Sequence, residues 1–313
     1  MAAQRQSTAG VLVLSIVHRA LAVESSTTTQ LDAPSELSVN GIHGADLSSA
    51  PFPTGGAFLL SWLSPLERAS SSSAPLVFEV ALFAEHAALS AGDALWSSTA
   101  MGRTRVRLPT SIMLAPDASY WWRVRLATGR WSPPCFFDTA PAEPQWGNAS
   151  WIGGGSQLRT DWNLPAGRSV VRARAYVSGL GAFQLHVNGA VVGDHMLDPG
   201  QSVYDQKTLY VCFNLTQLLR PANHIGALVG NSKWGYLDIY SNRTAAGDQS
   251  GDASRAFLLL ITAVLDDGSV ATLRSGAASW RSRHGPIVYD HMWHGEIYDA
   301  RREVAICCLI PHT

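Results

Sequence analysis

The sequence predicts an all-β protein made of two β-sandwich domains in tandem. Three observations carry this. Short segments with apolar residues at every second position recur from about Phe52 to Leu273, the period of half-buried strands. No stretch sustains the 3.6-residue period of a helix. A break at residues 140–150, with Pro141, Pro144 and Gly147, divides the strand-rich text in two. A chain of 313 residues is long enough for two such units and for real cores without a disulfide scaffold.

Residues 1–22 read as a signal peptide. Arg5 precedes the apolar run Ala9–Val17, and Ala20-Leu21-Ala22 has the small-x-small form of a cleavage site. The run is too short to span a bilayer, and no later stretch qualifies as a membrane span. Secretion is therefore expected. The sequons at Asn148, Asn214 and Asn242 agree with it as N-glycosylation sites. Residues 23–50, rich in Ser, Thr, Ala and Gly, read as a leader or a poorly ordered first strand.

Charged residues make up 15% of the chain against a typical value of roughly 25%, and net charge is -1. That balance excludes the strongly basic footprint of a nucleic-acid binder. The cysteines Cys135, Cys212, Cys307 and Cys308 match no zinc spacing, and the adjacent pair cannot form a strain-free bridge. No disulfide framework is expected.

The first domain spans 51–140. Ala57–Leu63 and Leu76–Phe83 read as strands joined by a polar loop around Ser70–Ser73. From Ser119 to Leu126, Tyr120, Trp122, Val124 and Leu126 share one face, while Trp121, Arg123 and Arg125 share the other. Leu114-x-Pro116-x-x-x-Tyr120 resembles the tyrosine corner of fibronectin type III sandwiches, in which the hydroxyl bonds back to the loop before its strand. Trp131-Ser-Pro133 and Phe136–Thr139 resemble the last strand of such a module. The alternative is an unrelated hairpin with incidental aromatics.

The second domain spans 141–304. Arg172–Val177 and Ala182–Val187 alternate. Asn188-Gly189 before Ala190-Val-Val192 signals a type I′ hairpin, because both turn residues need positive φ. Ala256–Leu265 is a long apolar strand turned by Asp266-Asp-Gly268 into Ser269–Leu273. Thr216–Leu219 reads as a short helical turn.

The order of motifs in this second domain carries a resemblance. Ala175–Gly181, Val187-Asn-Gly189, Val192-Gly-Asp194 and Leu197–Gly200 come first. Tyr204, Leu209-Tyr210, Asn214-Leu-Thr216 and Gly226–Asn231 follow. Ser279-Trp280, Gly285-Pro-Ile287 and Gly295–Arg301 close the series. Together they resemble the N-terminal β-sandwich of bacterial-type α-L-rhamnosidases, glycoside hydrolase family 78, over about residues 50–304. The resemblance implies a jelly-roll or galactose-binding-like sandwich behind a fibronectin type III-like module. It also implies that the acid and base carboxylates sit in a separate C-terminal helical barrel. Inversion needs two carboxylates about 6.5–9.5 Å apart. The pattern fails at about Ala305, and 305–313 reads as a divergent tail. The expectation is an accessory portion of an enzyme acting on terminal α-L-rhamnose, inactive alone, with rhamnose-containing glycans and the missing barrel as partners. The alternatives are a stand-alone secreted rhamnose- or glycan-binding protein and a fibronectin-like adhesion module.

No catalytic residue is assigned. Glu296, Asp299 and Glu303 are the densest carboxylates, but the resemblance makes them junction residues paired with Arg301 or Arg302. His291, His294 and Glu296 match no standard zinc spacing. The candidate sugar contacts are Asn231, Trp234, Tyr236 and Asp238, since aromatic faces stack on pyranoses while amides and carboxylates bond hydroxyls. The family's Gly-x-Gly-Trp-Tyr is altered here to Gly230-Asn-Ser-Lys-Trp-Gly-Tyr236. The competing role for Trp234 and Tyr236 is packing against the absent barrel. Related sandwiches include carbohydrate-binding module family 67, which binds L-rhamnose with calcium. Its ligands have no residue-by-residue match here. Asp194, Asp198 and Asp205 are the candidate oxygen ligands for calcium, and no other cofactor is implied.

Overall fold

Residues 33–43, 51–64, 75–204, 206–232, 234, 255–276, 278–291 and 295–303 are described by a computed structural model of the chain. Strands β1 (Ser35–Val39), β2 (Ile42–His43), β3 (Leu59–Leu63) and β6 (Arg105–Arg107) form one sheet in the order β2-β1-β3-β6. Strands β4 (Val77–Phe83), β5 (Trp96–Met101), β7 (Ser119–Leu126) and β8 (Cys135–Asp138) form its partner in the order β5-β4-β7-β8. A four-residue helix, α1 (Ala88–Ala91), sits between β4 and β5. Strand β1 pairs with β3, so the first sandwich takes its opening strand from upstream of residue 51, inside the stretch read as a leader or a first strand.

The alternation in β7 decides the packing of this module. Tyr120, Trp122, Val124 and Leu126 are buried, and their alternate neighbours are half-buried. Trp122 packs 6.5 Å from Trp62, which lies 5.3 Å from Phe78. Two facing sheets each present every second side chain, so the large aromatics interdigitate in one core. The tyrosine corner is present: the Ala115 N–H donates to the Tyr120 hydroxyl at 2.7 Å.

The second sandwich pairs a four-stranded with a five-stranded sheet. The first contains β10 (Val170–Leu180), β13 (Val211–Asn214), β15 (Ala256–Leu265) and β16 (Val270–Arg274), ordered β13-β10-β15-β16. The second contains β9 (Gln157–Asn163), β11 (Ala182–Val187), β12 (Ala190–Val191), β14 (Ala222–Gly230) and β17 (Arg281–Arg283), ordered β12-β11-β14-β9-β17. Asn188 and Gly189 both hold positive φ, 53° and 85°, and bring Ala190 opposite Val187 as a type I′ turn requires. A separate ribbon of β18 (Ile287–His291) and β19 (Gly295–Tyr298) closes the described chain, followed by a 3-10 turn at Ala300–Arg302.

The segment between the sandwiches is folded down. Its helix α2 (Glu143–Trp146) is capped by the Gln145 side chain, which accepts from the Ala142 N–H at 2.6 Å. Trp146 then packs beside Tyr176 and Tyr210. Strand β10 explains why. Ala173, Ala175 and Val177 point into the core of their own sandwich. Arg172, Arg174 and Tyr176, on the opposite face, meet the first module: Arg172 and the Tyr176 hydroxyl donate to Asp117, and Arg174 donates to Asp138. A charged strand face thus becomes a buried joint between two sandwiches.

Candidate carbohydrate-binding site

Asn231 follows the end of β14, beside the closing ribbon. Its backbone N–H donates to Asp290 Oδ1 at 2.7 Å. Its Nδ2 lies 3.3 Å from both the backbone oxygen and Oδ2 of Asp290. Arg255 donates to the same carboxylate at 3.1 Å and is itself buried. Burial lowers the Arg255 guanidinium from its ordinary value, and the Asp290 charge works against that shift. An acid, an amide and a guanidinium therefore tie β18 to the end of β14 in low dielectric, where each needs the others.

This changes the role of Asn231. Only 8% of it is exposed, and its amide donors are spent on Asp290; Oδ1 is buried with no hydrogen-bond partner among the described residues. It shapes the site from below instead of presenting an amide to solvent. Trp234 is half-buried and meets the Tyr204 ring edge-on, with centroids 4.9 Å apart. Tyr236 and Asp238 lie outside the described residues.

An open cleft of about 410 Å³ lies beside this network. Met196, Leu197 and Leu228 give it an apolar wall, and Gln184, His195 and Glu296 give it polar groups. Asp290 and Glu296 are register partners across the ribbon, which is why both carboxylates reach one cleft. The mixture of one apolar wall and a few convergent polar groups suits a single sugar ring. Sequence reasoning missed Gln184 and His195. The available signal was the alternation of β11, which turns Phe183 and Leu185 one way and Gln184 the other.

Of the calcium candidates, Asp194 is exposed. Asp198 is engaged: its Oδ2 lies 2.9 Å from His195 Nδ1, and its backbone oxygen accepts from Phe183. Asp205 lies outside the described residues. Among the described residues no three Asp, Glu, His or Cys side chains converge as a metal site would need. Those present do not fit a calcium cage, and no contact is routed through one.

The C-terminal carboxylates are occupied. Asp299 accepts from Arg301 at 2.8 and 2.9 Å and pairs with Arg302 at 3.4 Å. Glu303 accepts from the Tyr298 hydroxyl. His294 lies outside the described residues. Asn148 and Asn214 are both exposed, and Asn214 Oδ1 accepts from the Thr216 N–H and hydroxyl in a local turn. Asn242 lies outside the described residues.

The family model for the α-L-rhamnosidase N-terminal domain matches residues 168–306. An α-L-rhamnosidase of Streptomyces avermitilis is 32% identical over 186 residues, covering 56% of this chain and 17% of that protein. One from Formosa agariphila is 26% identical over 219 residues, covering 59% of this chain and 23% of that protein. The chain thus spans about a fifth of the curated relatives it matches. Among solved structures, the α-L-rhamnosidase from Dictyoglumus thermophilum superposes with a TM-score of 0.70 at 22% identity, over 90% of this chain and 32% of that one. The Streptomyces avermitilis enzyme complexed with L-rhamnose gives 0.65 at 18%, over 87% of this chain and 43% of that one. These superpositions establish the shared fold.

Proposed function

We propose that this chain, which carries an α-L-rhamnosidase N-terminal domain over residues 168–306, is the accessory front portion of an enzyme that removes terminal α-L-rhamnose. The observation that carries this reading is the domain match, in a chain whose two-sandwich fold is shared with solved rhamnosidases. The accessory domains hold and orient rhamnose-containing glycans, and the hydrolytic carboxylates belong to a further, catalytic domain. The state of Asp299 and Glu303 supports this, since both are committed to neighbouring side chains. The sugar site we assign is the cleft between β11, β14 and the β18–β19 ribbon. The ring lies against Met196 and Leu197, and Gln184, His195 and Glu296 meet its hydroxyls.

Two assays test the reading. Purified 313-residue protein should not turn over p-nitrophenyl α-L-rhamnoside; turnover that vanishes in Glu296→Gln would reverse the assignment. Calorimetric titration with L-rhamnose should show weak binding, roughly micromolar to millimolar, as a small site with few hydrogen bonds allows. Repeating it with calcium and with a chelator decides whether binding needs a cation. Secretion with loss of residues 1–22 belongs to the same reading. N-terminal sequencing of protein from its native host checks it, and an intact Met1 or Ala2 contradicts it.

A further inference from the structure

The first sandwich has a basic side that the rhamnosidase domain does not involve. Strand β5 is the edge of one sheet and β6 the edge of the other. Between them lies an open cleft of about 950 Å³, lined by residues 99–107 and Leu59. Among the described residues its charged groups are Arg103, Arg105 and Arg107, all exposed, and no acidic one lines it. Val106 and Leu108 alternate inward, so Arg105 and Arg107 share the outward face of β6, and Arg103 joins them from the turn before it. Along the strand Arg105 and Arg107 stand roughly 6.6–6.8 Å apart.

No carboxylate pairs with any of the three among the described residues. The basic character continues onto the neighbouring sheet face. Thr99, in the cleft, is the register partner of Glu79, and Glu79 holds Arg125 at 2.6 Å. The Arg125 and Arg123 guanidinium groups each lie 4.5 Å from the Trp131 ring centroid, and Arg123 also packs 5.0 Å from that of Phe83. Burial and the adjacent Arg125 charge lower the Arg123 guanidinium from its ordinary value. Arg123 and Arg125 face outward from that other sheet, where Glu79 is paired with Arg125.

We propose that this cleft binds a carboxylate-bearing saccharide, a glycan chain containing uronic acids. Arginine forks match carboxylates bidentately, and among the described residues no acid lines the cleft to compete for them. An acidic peptide is the less suited occupant. Strand addition needs a long open edge, and β6 is three residues long and studded with charge, which discourages backbone pairing. A saccharide binds through side chains and does not use that edge. Thr99 and Thr104 supply hydroxyl partners beside the arginines. The choice of a sugar over another polyanion rests on the carbohydrate role proposed above; the anionic character of the ligand does not.

The test is calorimetric titration of the 313-residue chain with oligogalacturonate at low salt. Binding should weaken severalfold on raising salt to about 0.15 M, because the contacts are exposed. It should fall about tenfold, equivalent to 1.4 kcal/mol, in Arg105→Gln/Arg107→Gln. Arg103→Gln serves as a second variant, and unchanged melting curves confirm folding in each. The methyl-esterified form of the same oligomers, which keeps the sugars and removes the charge, should not bind. Absence of binding at low salt, equal binding of the ester, or indifference to the substitutions would overturn the proposal. Tighter binding of polyglutamate would reassign the cleft to acidic peptides. L-Rhamnose binding, titrated separately, should be untouched by these variants; its absence would count against the second-sandwich site alone.

Discussion

Arg174 of the second sandwich directs two nitrogens at one oxygen of Asp138 in the first: its Nε lies 2.9 Å and a terminal nitrogen 2.7 Å from Asp138 Oδ2. Asp138 is fully buried and Arg174 is 5% exposed. The other carboxylate oxygen accepts from the Ser119 hydroxyl, so one acceptor is satisfied inside the first module and the other is satisfied by the second module's Arg174. Neither charge has water to fall back on if the partner is removed.

The joint should therefore make the two sandwiches unfold together. Asp138→Ala or Arg174→Ala should each destabilise by about 3–5 kcal/mol, because each strands a buried charge. The double variant should cost less than the sum. Urea unfolding followed by tryptophan fluorescence should show one transition in the parent and two in the variants. Strict additivity, or a single unshifted transition, would remove the joint from the account.

Tyr120→Phe should cost about 1–3 kcal/mol. The Ala115 N–H loses the hydroxyl it donates to, and a part-buried donor is left unpaired. The same corner presents Asp117, which accepts from Arg172 and from the Tyr176 hydroxyl, so loosening it should also weaken the joint. The readout is the coupling energy between Tyr120→Phe and Arg172→Ala, which is zero if the corner serves only its own module.

Gly181 links β10 to β11 at a φ of 114°, and a Cβ there would stand 2.1 Å from the Gly230 carbonyl oxygen. Gly181→Ala should cost several kcal/mol, since backbone must move on both strands. Gly189→Ala is the comparison: its φ is also positive, but its Cβ would meet nothing within 4 Å, so about 1–2 kcal/mol is expected. Similar melting temperatures for the two variants would show that close approach is not what fixes Gly181.

Alkaline pH should destabilise the protein from the joint outward. Burial pushes the Cys212 thiol up to about 12 from an ordinary 9.0, and Tyr210 up to about 12 from 10.0; Tyr176 is raised further, again chiefly by burial. Each group holds its proton more tightly when folded. The stability they contribute is full below about pH 9 and is lost as pH rises toward about 12. Urea midpoints measured from pH 7 upward should be level at first and then fall. Cys212→Ala should flatten the first part of that fall. A slope unaffected by the substitution would place the titrating group elsewhere.

The alternation of apolar residues gave away the architecture, because burial on one sheet face imposes a period of two that any reader of the chain can see. Tyr120 with its spaced Leu114 and Pro116, and Asn188-Gly189 between apolar runs, were legible for the same reason: their geometry is local. The order of short motifs from Ala175 to Arg301 was enough to show the resemblance to the α-L-rhamnosidase N-terminal domain, whose family model matches residues 168–306. What strand alternation could not reveal was the destination of the polar faces. Arg172, Arg174 and Tyr176 look like a solvated strand face, and only folding brings Asp117 and Asp138 to them from 36 to 59 residues away. Asn231 looks like a solvent-facing amide in a loop until Asp290, 59 residues on, claims its donors. A charge's energy depends on what it faces at 3 Å, and sequence neighbours in a strand report which side it faces but not who waits there.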